Sequence, residues 1–520
     1  MTEANAPANA SPLDALRRYV PLAVWAVVIL VILVIPLRII EYGFLPGDDA
    51  LRHAAKAVSG KPWPEILVVS PAFQIDTNYG WHLLLRQIYL GSHCSAEALV
   101  LFAIVALFAL VNWSALPWLK RPEAWLIVLL ATVLGSDLWM RFSLGRPFLL
   151  TIAGLLTILF AWQTHDSSPP KWWTALWMAA LVAVCTFVHG VWYLWSLPVA
   201  AFFLAGQFRW GCLLGAGWGA GAFLGAAFTG HPLASLYQAV VMAVRAFGMH
   251  ATQRTLVTEF QPSSGEIPAL ILLGGLLILR QLAGLKARPL TANPAFWLAC
   301  LAWVLGFKAS RFMEDWGWPA LMVLMAGDLQ LLLQARFAAD SFKRLALAGG
   351  LAAAVFLAIT HDGGSRWTSN LTLQYLDPVK HPELKGWMPE KGGVLYSGEM
   401  SIFYQTFFRN PQGDWRYILG YEPAFMPKAD FDVYHSIIWN FGDAKAYEPW
   451  VEKMRPEDRL VIRGGRIAPP NIPQLEWEYG VSGIWIGRVP HPHAPPDELA
   501  PTCPATTPLE PSAPPVNSAP

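Results

Sequence analysis

Through residue 360 the chain alternates long apolar runs with polar breaks, most of them short, that carry Gly, Pro or basic residues. Residues 19–40 form the first run, directly after Arg17 and Arg18. Its length of about 22 residues is enough to cross a ~30 Å hydrocarbon core as a helix. A basic flank also marks a signal peptide, but this run is too long and lacks a small-residue cleavage site, so a retained anchor is expected. Further runs centre near residues 105, 132, 154, 180, 198, 220, 276, 301, 325 and 352. The pattern therefore predicts an α-helical polytopic membrane protein with about eleven spans. Within 172–205, His189-Gly190 reads either as a tight turn between two spans or as a break within one.

The patterning changes at His361, which sets the domain boundaries. Residues 1–16 are Ala- and Pro-rich and predict a disordered N-terminus; 17–360 form the transmembrane domain, with 41–96 as its first large loop. From 361 to 490 the sequence reads as a small α/β domain. Residues 393–397 (GVLYS) and 459–463 (RLVIR) predict strands, and 401–408 a strand or a helix. Turn signals stand at Asn410-Pro411 and Gly464-Gly465. Residues 491–520 are Pro-rich and too poor in apolar side chains to fold, so a disordered tail is expected. No internal repeat of fixed period is present.

Composition agrees with that reading. Of 520 residues, 55% are apolar and 14% charged, against about 25% charged in soluble domains. The 26 tryptophans suit a membrane–water boundary. A net charge of +1 gives no field for nucleic acid. Cys185, Cys212 and Cys300 lie in apolar runs, and the five cysteines form no CxxC pair, so no zinc or iron–sulfur site is suggested.

Charge bias gives an orientation. With the N-terminus inside, the inner loops hold Lys120, Arg121, Lys171, Arg209, Lys286, Arg288, Arg336, Lys343 and Arg344. An odd number of spans then puts the C-terminal domain outside. The outer side also receives loop 41–96, the turn 141–146, His189-Gly190, 231–266 and 308–315.

The first outer loop carries the most informative chemistry. Pro46-Gly47 marks a turn before Asp48, and 50–58 has the spacing of an amphipathic helix. Asp48 or Asp49 is therefore a natural N-cap, stabilised by the helix dipole with no catalytic role required. One carboxylate can also cap while the other serves a reaction. At this position the segment Asp48-Asp49-Ala50-Leu51-Arg52-His53-Ala54-Ala55 resembles the GT-C superfamily of membrane glycosyltransferases. Many of its bacterial members carry a DDA-x(n)-R-x-A type segment there. The wider plan is similar: about a dozen spans, functional residues in outer loops, and a C-terminal extracytoplasmic domain.

The resemblance implies sugar transfer at the outer face of the cell's inner membrane. The donor would be a polyprenyl-phosphate-linked sugar, and the acceptor a glycan, a lipid or a protein. Asp48 or Asp49 would be the general base. Such chemistry also wants a cation near the developing phosphate charge. Arg141 and Arg146 bracket one outer turn, and Lys308 and Arg311 stand in another; guanidinium forks match phosphate oxygens. Outer basic residues also snorkel to headgroups or pair with Glu314 and Asp315, yet they run against the positive-inside bias.

Histidines and one loop complete the candidates. His53 lies four residues after Asp49, and His189 ends an apolar run; each is a candidate to orient a substrate, or a hydrogen-bonded structural residue. His231, just outside a span, reads as structural. Loop 237–266, which contains Arg254, and segment 76–90 each read as lining the site or lying on the bilayer. No cofactor is implied beyond the lipid-linked donor as substrate. A divalent metal stays open, since no spacing of Asp, His and Glu is diagnostic. Two other classes compete: a transporter or flippase of a lipid-linked or anionic solute, and a non-catalytic envelope-assembly protein.

Overall fold

The computed structural model describes residues 16–135, 138–165, 169–248, 261–263, 266–285, 287–465, 468–481 and 483–490. The expected disordered ends, apart from Leu16, fall outside these residues, as do Lys286 and the stretch 249–260 with Arg254.

The molecule is mostly helical, with a small sheet near its C-terminus. Each apolar run folds as a helix. In chain order, with the first-loop helices included, these are α1 (Val20–Glu41), α2 (Asp49–Ser59), α3 (Tyr79–Ser92), α4 (Ala96–Ala115), α5 (Glu123–Gly135), α6 (Phe148–Thr164), α7 (Trp173–Val188), α8 (Ser196–Leu204), α9 (Phe208–Ala227), α10 (Pro232–Gly248), α11 (Ile267–Leu282), α12 (Pro294–Gly306), α13 (Trp318–Arg336) and α14 (Phe342–Thr360). Among the described residues four helical segments are long and apolar enough to cross a bilayer alone: Val20–Glu41, Ala96–Trp118, Ser310–Arg336 and Phe342–Thr360. A fifth arises if α9 and the start of α10, bent by 108°, count as one broken span. The remaining apolar helices are shorter than the ~20 residues a span needs. Long and short helices alike carry large apolar side chains on their outward faces: Leu22, Leu30 and Leu37 on α1, Ile271 and Ile278 on α11, and Leu357 on α14 are all exposed. Water disfavours such a belt and lipid tolerates it, which is consistent with a multi-pass membrane protein.

Small residues set a close helix contact. Gly217, Gly221 and Gly225 repeat every four residues along the face of α9 turned to α7. A Cβ at Gly221 would stand 2.5 Å from the carbonyl oxygen of Ala179. The helices approach this closely because no side chain intervenes, the usual device where the surroundings offer no hydrophobic drive. The break at His189-Gly190 separates α7 from α8, and Gly190 N–H donates to the Thr77 carbonyl at 2.9 Å. The first loop thereby meets the α7–α8 connection.

The C-terminal sheet has five strands: β1 (Val394–Tyr396), β2 (Arg416–Tyr417), β3 (Arg459–Arg463), β4 (Glu476–Tyr479) and β5 (Ile484–Arg488). Their order is β2-β1-β3-β5-β4, parallel from β2 to β3 and antiparallel beyond. The two strands expected at 393–397 and 459–463 are β1 and β3, and 401–408 resolves as helix α15 (Met400–Arg409).

This segment does not stand apart from the first loop. Leu67 bridges Tyr417 in parallel register, and Val68 N–H donates to the Tyr417 carbonyl at 2.9 Å. Ala55, Trp63, Ile66 and Leu67 are buried in one cluster with Leu395, Phe403, Phe407 and Tyr417. Lys61 Nζ bonds the carbonyl oxygens of Gln412 and Gly413 at 3.2 and 2.9 Å. First loop and C-terminal segment thus share one hydrophobic core, which fixes where α2 points.

Candidate functional site

The first loop turns at Gly47 and enters α2 with Asp48 as N-cap, its carboxylate accepting from Ala50 N–H at 3.5 Å. Asp49 is the first helical residue, where the dipole favours a negative charge. Across from it, Gly145 takes a left-handed φ of +65°, and a Cβ there would lie 3.2 Å from the Ile104 nitrogen. A glycine is therefore required for the turn that presents Arg146 ahead of α6. Arg146 Nη2 meets Asp48 Oδ2 at 2.8 Å, and its Nε stands 3.8 Å from Asp49 Oδ2.

A second group arrives from the segment before α13. Residues Met313–Gly317 form a π-helical turn, a distortion that recurs at functional sites. It places Asp315 between two arginines: Arg141 Nη2 at 2.7 Å and Arg311 Nε at 2.9 Å. Arg141 also pairs with Glu314 at 2.6 Å. Arg311 Nη2 lies 3.3 Å from His189 Nε2, and His189 Nδ1 lies 3.4 Å from Thr151 Oγ1. Because guanidinium only donates, His189 Nε2 accepts and its proton sits on Nδ1.

These groups enclose a cavity of about 120 Å³, lined by Asp49, His53, Arg146, His189 and Arg311 together with Tyr404 and Tyr421 of the C-terminal segment. That volume is below the ~300 Å³ at which sites for whole drug-sized ligands begin, so it suits the polar head of a larger molecule. Of the residues expected from sequence, five line this cavity. Asp48 stands behind Arg146, and Arg141 stands behind Arg311 through Asp315. Lys308 is exposed and does not line it.

Sequence reasoning missed Arg52, Tyr404 and Tyr421 on the cavity wall and the pairing of His53 with His82 behind it, whereas Thr77 and Asn78 on the wall belong to segment 76–90, one of whose two readings was to line the site. Arg52 stood inside the acidic segment, three residues from Asp49, a spacing that places both on one helix face. Arg52 Nε donates to Asp49 Oδ1 at 3.1 Å, and its guanidinium lies 3.9 Å from the Tyr421 ring centroid. The two tyrosines had no local signal.

Burial pushes the Asp48 carboxyl above the usual carboxylate range, with Asp49 adding to the shift and Arg146 opposing it. Burial and the neighbouring Arg52 hold His53 well below the usual imidazole range. Asp76 is held low: the His82 hydrogen bond, Lys56 and the Asn78 N–H outweigh the effect of burial. Burial raises the Tyr404 hydroxyl, reinforced by Asp49. Among the described residues, no three His, Cys, Asp or Glu side chains are grouped to hold a metal ion.

The opposite end of α6 faces another polar cavity. Phe148 lines the first cavity, whereas Gln163 and Thr164 line the other with Lys120, Arg280 and Arg288. Loops assigned by charge to opposite sides therefore gather at opposite ends of one helix. No protein-family model matches the chain, and no curated protein sequence matches it.

Proposed function

We propose that this chain is a GT-C-type glycosyltransferase. It moves a sugar from a polyprenyl-phosphate donor to a glycan, lipid or protein acceptor at the outer face of a bacterial inner membrane. In this reading all eleven apolar helices cross the bilayer, the N-terminus is inside, and residues 361–490 are outside, as the basic inner loops favour. The observation that carries the reading is the meeting of Asp49, Arg146 and Arg311 on one cavity at the end of the helices.

The acceptor oxygen forms a bond to the anomeric carbon, and the bond from that carbon to the phosphate oxygen breaks. The acceptor proton passes to Asp49, and the electron pair leaves on the phosphate. Asp49 Oδ1 is engaged by Arg52, while Oδ2 stands beyond hydrogen-bond range of Arg146; Oδ2 is the oxygen that takes the proton. Arg146 and Arg311 offset the charge on the leaving phosphate. Asp48, tied to Arg146 and the helix cap, holds the arrangement in place. A transporter would gather its polar side chains at mid-depth, and here they gather at helix ends.

Transfer from a polyprenyl-phosphate sugar by the purified full-length chain tests this. Asp49→Asn lowers turnover by roughly 10²- to 10⁴-fold, and Asp48→Asn retains more of it. Near-normal transfer in both variants and in their double would remove the base role from these carboxylates, and no transfer by the wild-type chain would sink the reading.

A further inference from the structure

Arg52 lines the cavity, is 3% exposed, and is restrained on three sides. Its Nε and Nη2 reach Asp49 Oδ1 at 3.1 and 3.0 Å, Nη2 also lies 3.1 Å from His53 Nε2, and Tyr421 covers the plane. The remaining nitrogen, Nη1, is buried and meets no acceptor. A buried, charged N–H without an acceptor is costly. An oxygen from a ligand in the cavity would remove that cost.

Behind Arg52 the hydrogen bonds run in one direction only. Since Arg52 has no acceptor, His53 Nε2 accepts and His53 carries its proton on Nδ1. That proton points to His82 Nε2 at 2.8 Å. His82 in turn carries its proton on Nδ1 and donates to Asp76 Oδ2 at 2.6 Å. Asp76 also accepts the Asn78 N–H at 3.0 Å and has Lys56 Nζ at 3.9 Å. His53, His82 and Asp76 thus fix one another's tautomers and end on the guanidinium, as outer-shell groups orient a ligand residue.

We propose that Arg52 Nη1 donates to an oxygen of a phosphate group in this cavity, and that Asp76, His82 and His53 are positioning residues that aim it. The identity of that phosphate as the polyprenyl phosphate of the donor rests on the transferase reading. The anion site itself rests on the geometry of Arg52.

Binding of a polyprenyl phosphate, and separately of inorganic phosphate, to the full-length protein in detergent micelles tests this by calorimetry. Arg52→Gln weakens polyprenyl phosphate roughly ten- to hundredfold, and Arg52→Lys, which keeps charge but loses the fork, falls between. Inorganic phosphate binds more weakly but shows the same dependence on Arg52. His82→Phe weakens binding several-fold, and the Arg52→Gln/His82→Phe double is no weaker than Arg52→Gln alone, because the histidine acts through the arginine. Binding by Arg52→Gln within twofold of wild type overturns the site. Additive losses in the double overturn the positioning role. If Arg52→Gln does not fold, Arg52→Lys decides the first point in the same way. Binding is read without turnover, so a wild-type chain that transfers no sugar would remove the transferase reading and leave this result standing.

Discussion

Asp48 Oδ2 lies 2.8 Å from Arg146 Nη2, joining the cap of α2 to the turn before α6 across 98 residues of sequence. Both side chains are less than a third exposed, so the pair is screened less than a surface bridge. Removing the arginine leaves a part-buried carboxylate with its backbone cap contact but no cation partner. Arg146→Met should therefore destabilise the chain by about 2 kcal/mol, and Arg146→Met/Asp48→Asn should recover part of that loss. Thermal unfolding in detergent reads both; additive losses would mean the two residues are not coupled.

Stability should fall as pH drops below about 6.5, the unfolded imidazole value. Burial lowers both His53 and His82 in the folded chain. His53 faces Arg52, His82, His189 and Arg146; His82 faces Asp76, Lys56 and Arg52. With folded values depressed, the unfolded chain binds more protons in this window, so the contribution is whole above the unfolded value and is lost as pH falls towards the folded ones. Asp48 works in the opposite sense: its raised folded value adds stability at acid pH that is lost as pH rises through it. Unfolding midpoints between about pH 7.5 and 5 should slope downward on acidification, and the slope should flatten in His53→Gln/His82→Gln. An equal slope in that double would assign the effect elsewhere.

Much of this was readable in the sequence, because helices and their ends have local signals. Uninterrupted apolar runs gave the helices, and Pro46-Gly47-Asp48 gave the start of α2 with its cap. The grouping of Asp49, Arg146, His189 and Arg311 followed from placing their loops on one side. A loop's side does not fix which side chains reach the site, which is why Lys308 is exposed and off the cavity wall while Arg311, three residues on, lines it. What joins distant segments had no local signal. Leu67 pairs with Tyr417, and His53 meets His82 from a separate helix. Those contacts exist only after packing, so the shared core and the histidine chain were invisible before it.

The α7–α9 contact predicts intolerance of bulk. A leucine at position 221 would drive its Cβ into the Ala179 carbonyl and force the helices apart. Gly221→Leu should cost about 3 kcal/mol, whereas leucine at Gly219, which has open space around it, should be nearly neutral. Unfolding midpoints of the two variants compare them directly; equal losses would discount the close approach.

Orientation can be read from Val379, which is 88% exposed in the C-terminal segment. In a background with Cys94, Cys212, Cys300 and Cys503 replaced by Ser, which leaves only the buried Cys185 and does not itself react, Val379→Cys should react with a membrane-impermeant maleimide added to intact cells. Reaction only after the membrane is permeabilised would place this segment inside and reverse the proposed topology.

Phe403 tests whether the C-terminal segment governs the site. It is buried in the cluster that holds Ala55, Trp63 and Leu67 of the first loop, and it stacks on Phe407 at 5.5 Å. Truncation to alanine should cost about 4 kcal/mol through lost burial and a cavity. If the two segments form one cooperative unit, Phe403→Ala should also loosen the loop that carries Asp49. Hydrogen exchange at the amides of α2 should then rise together with that of α15. Exchange that rises in α15 alone would mean that the segments unfold separately, and that α2 is held by the membrane helices without the sheet.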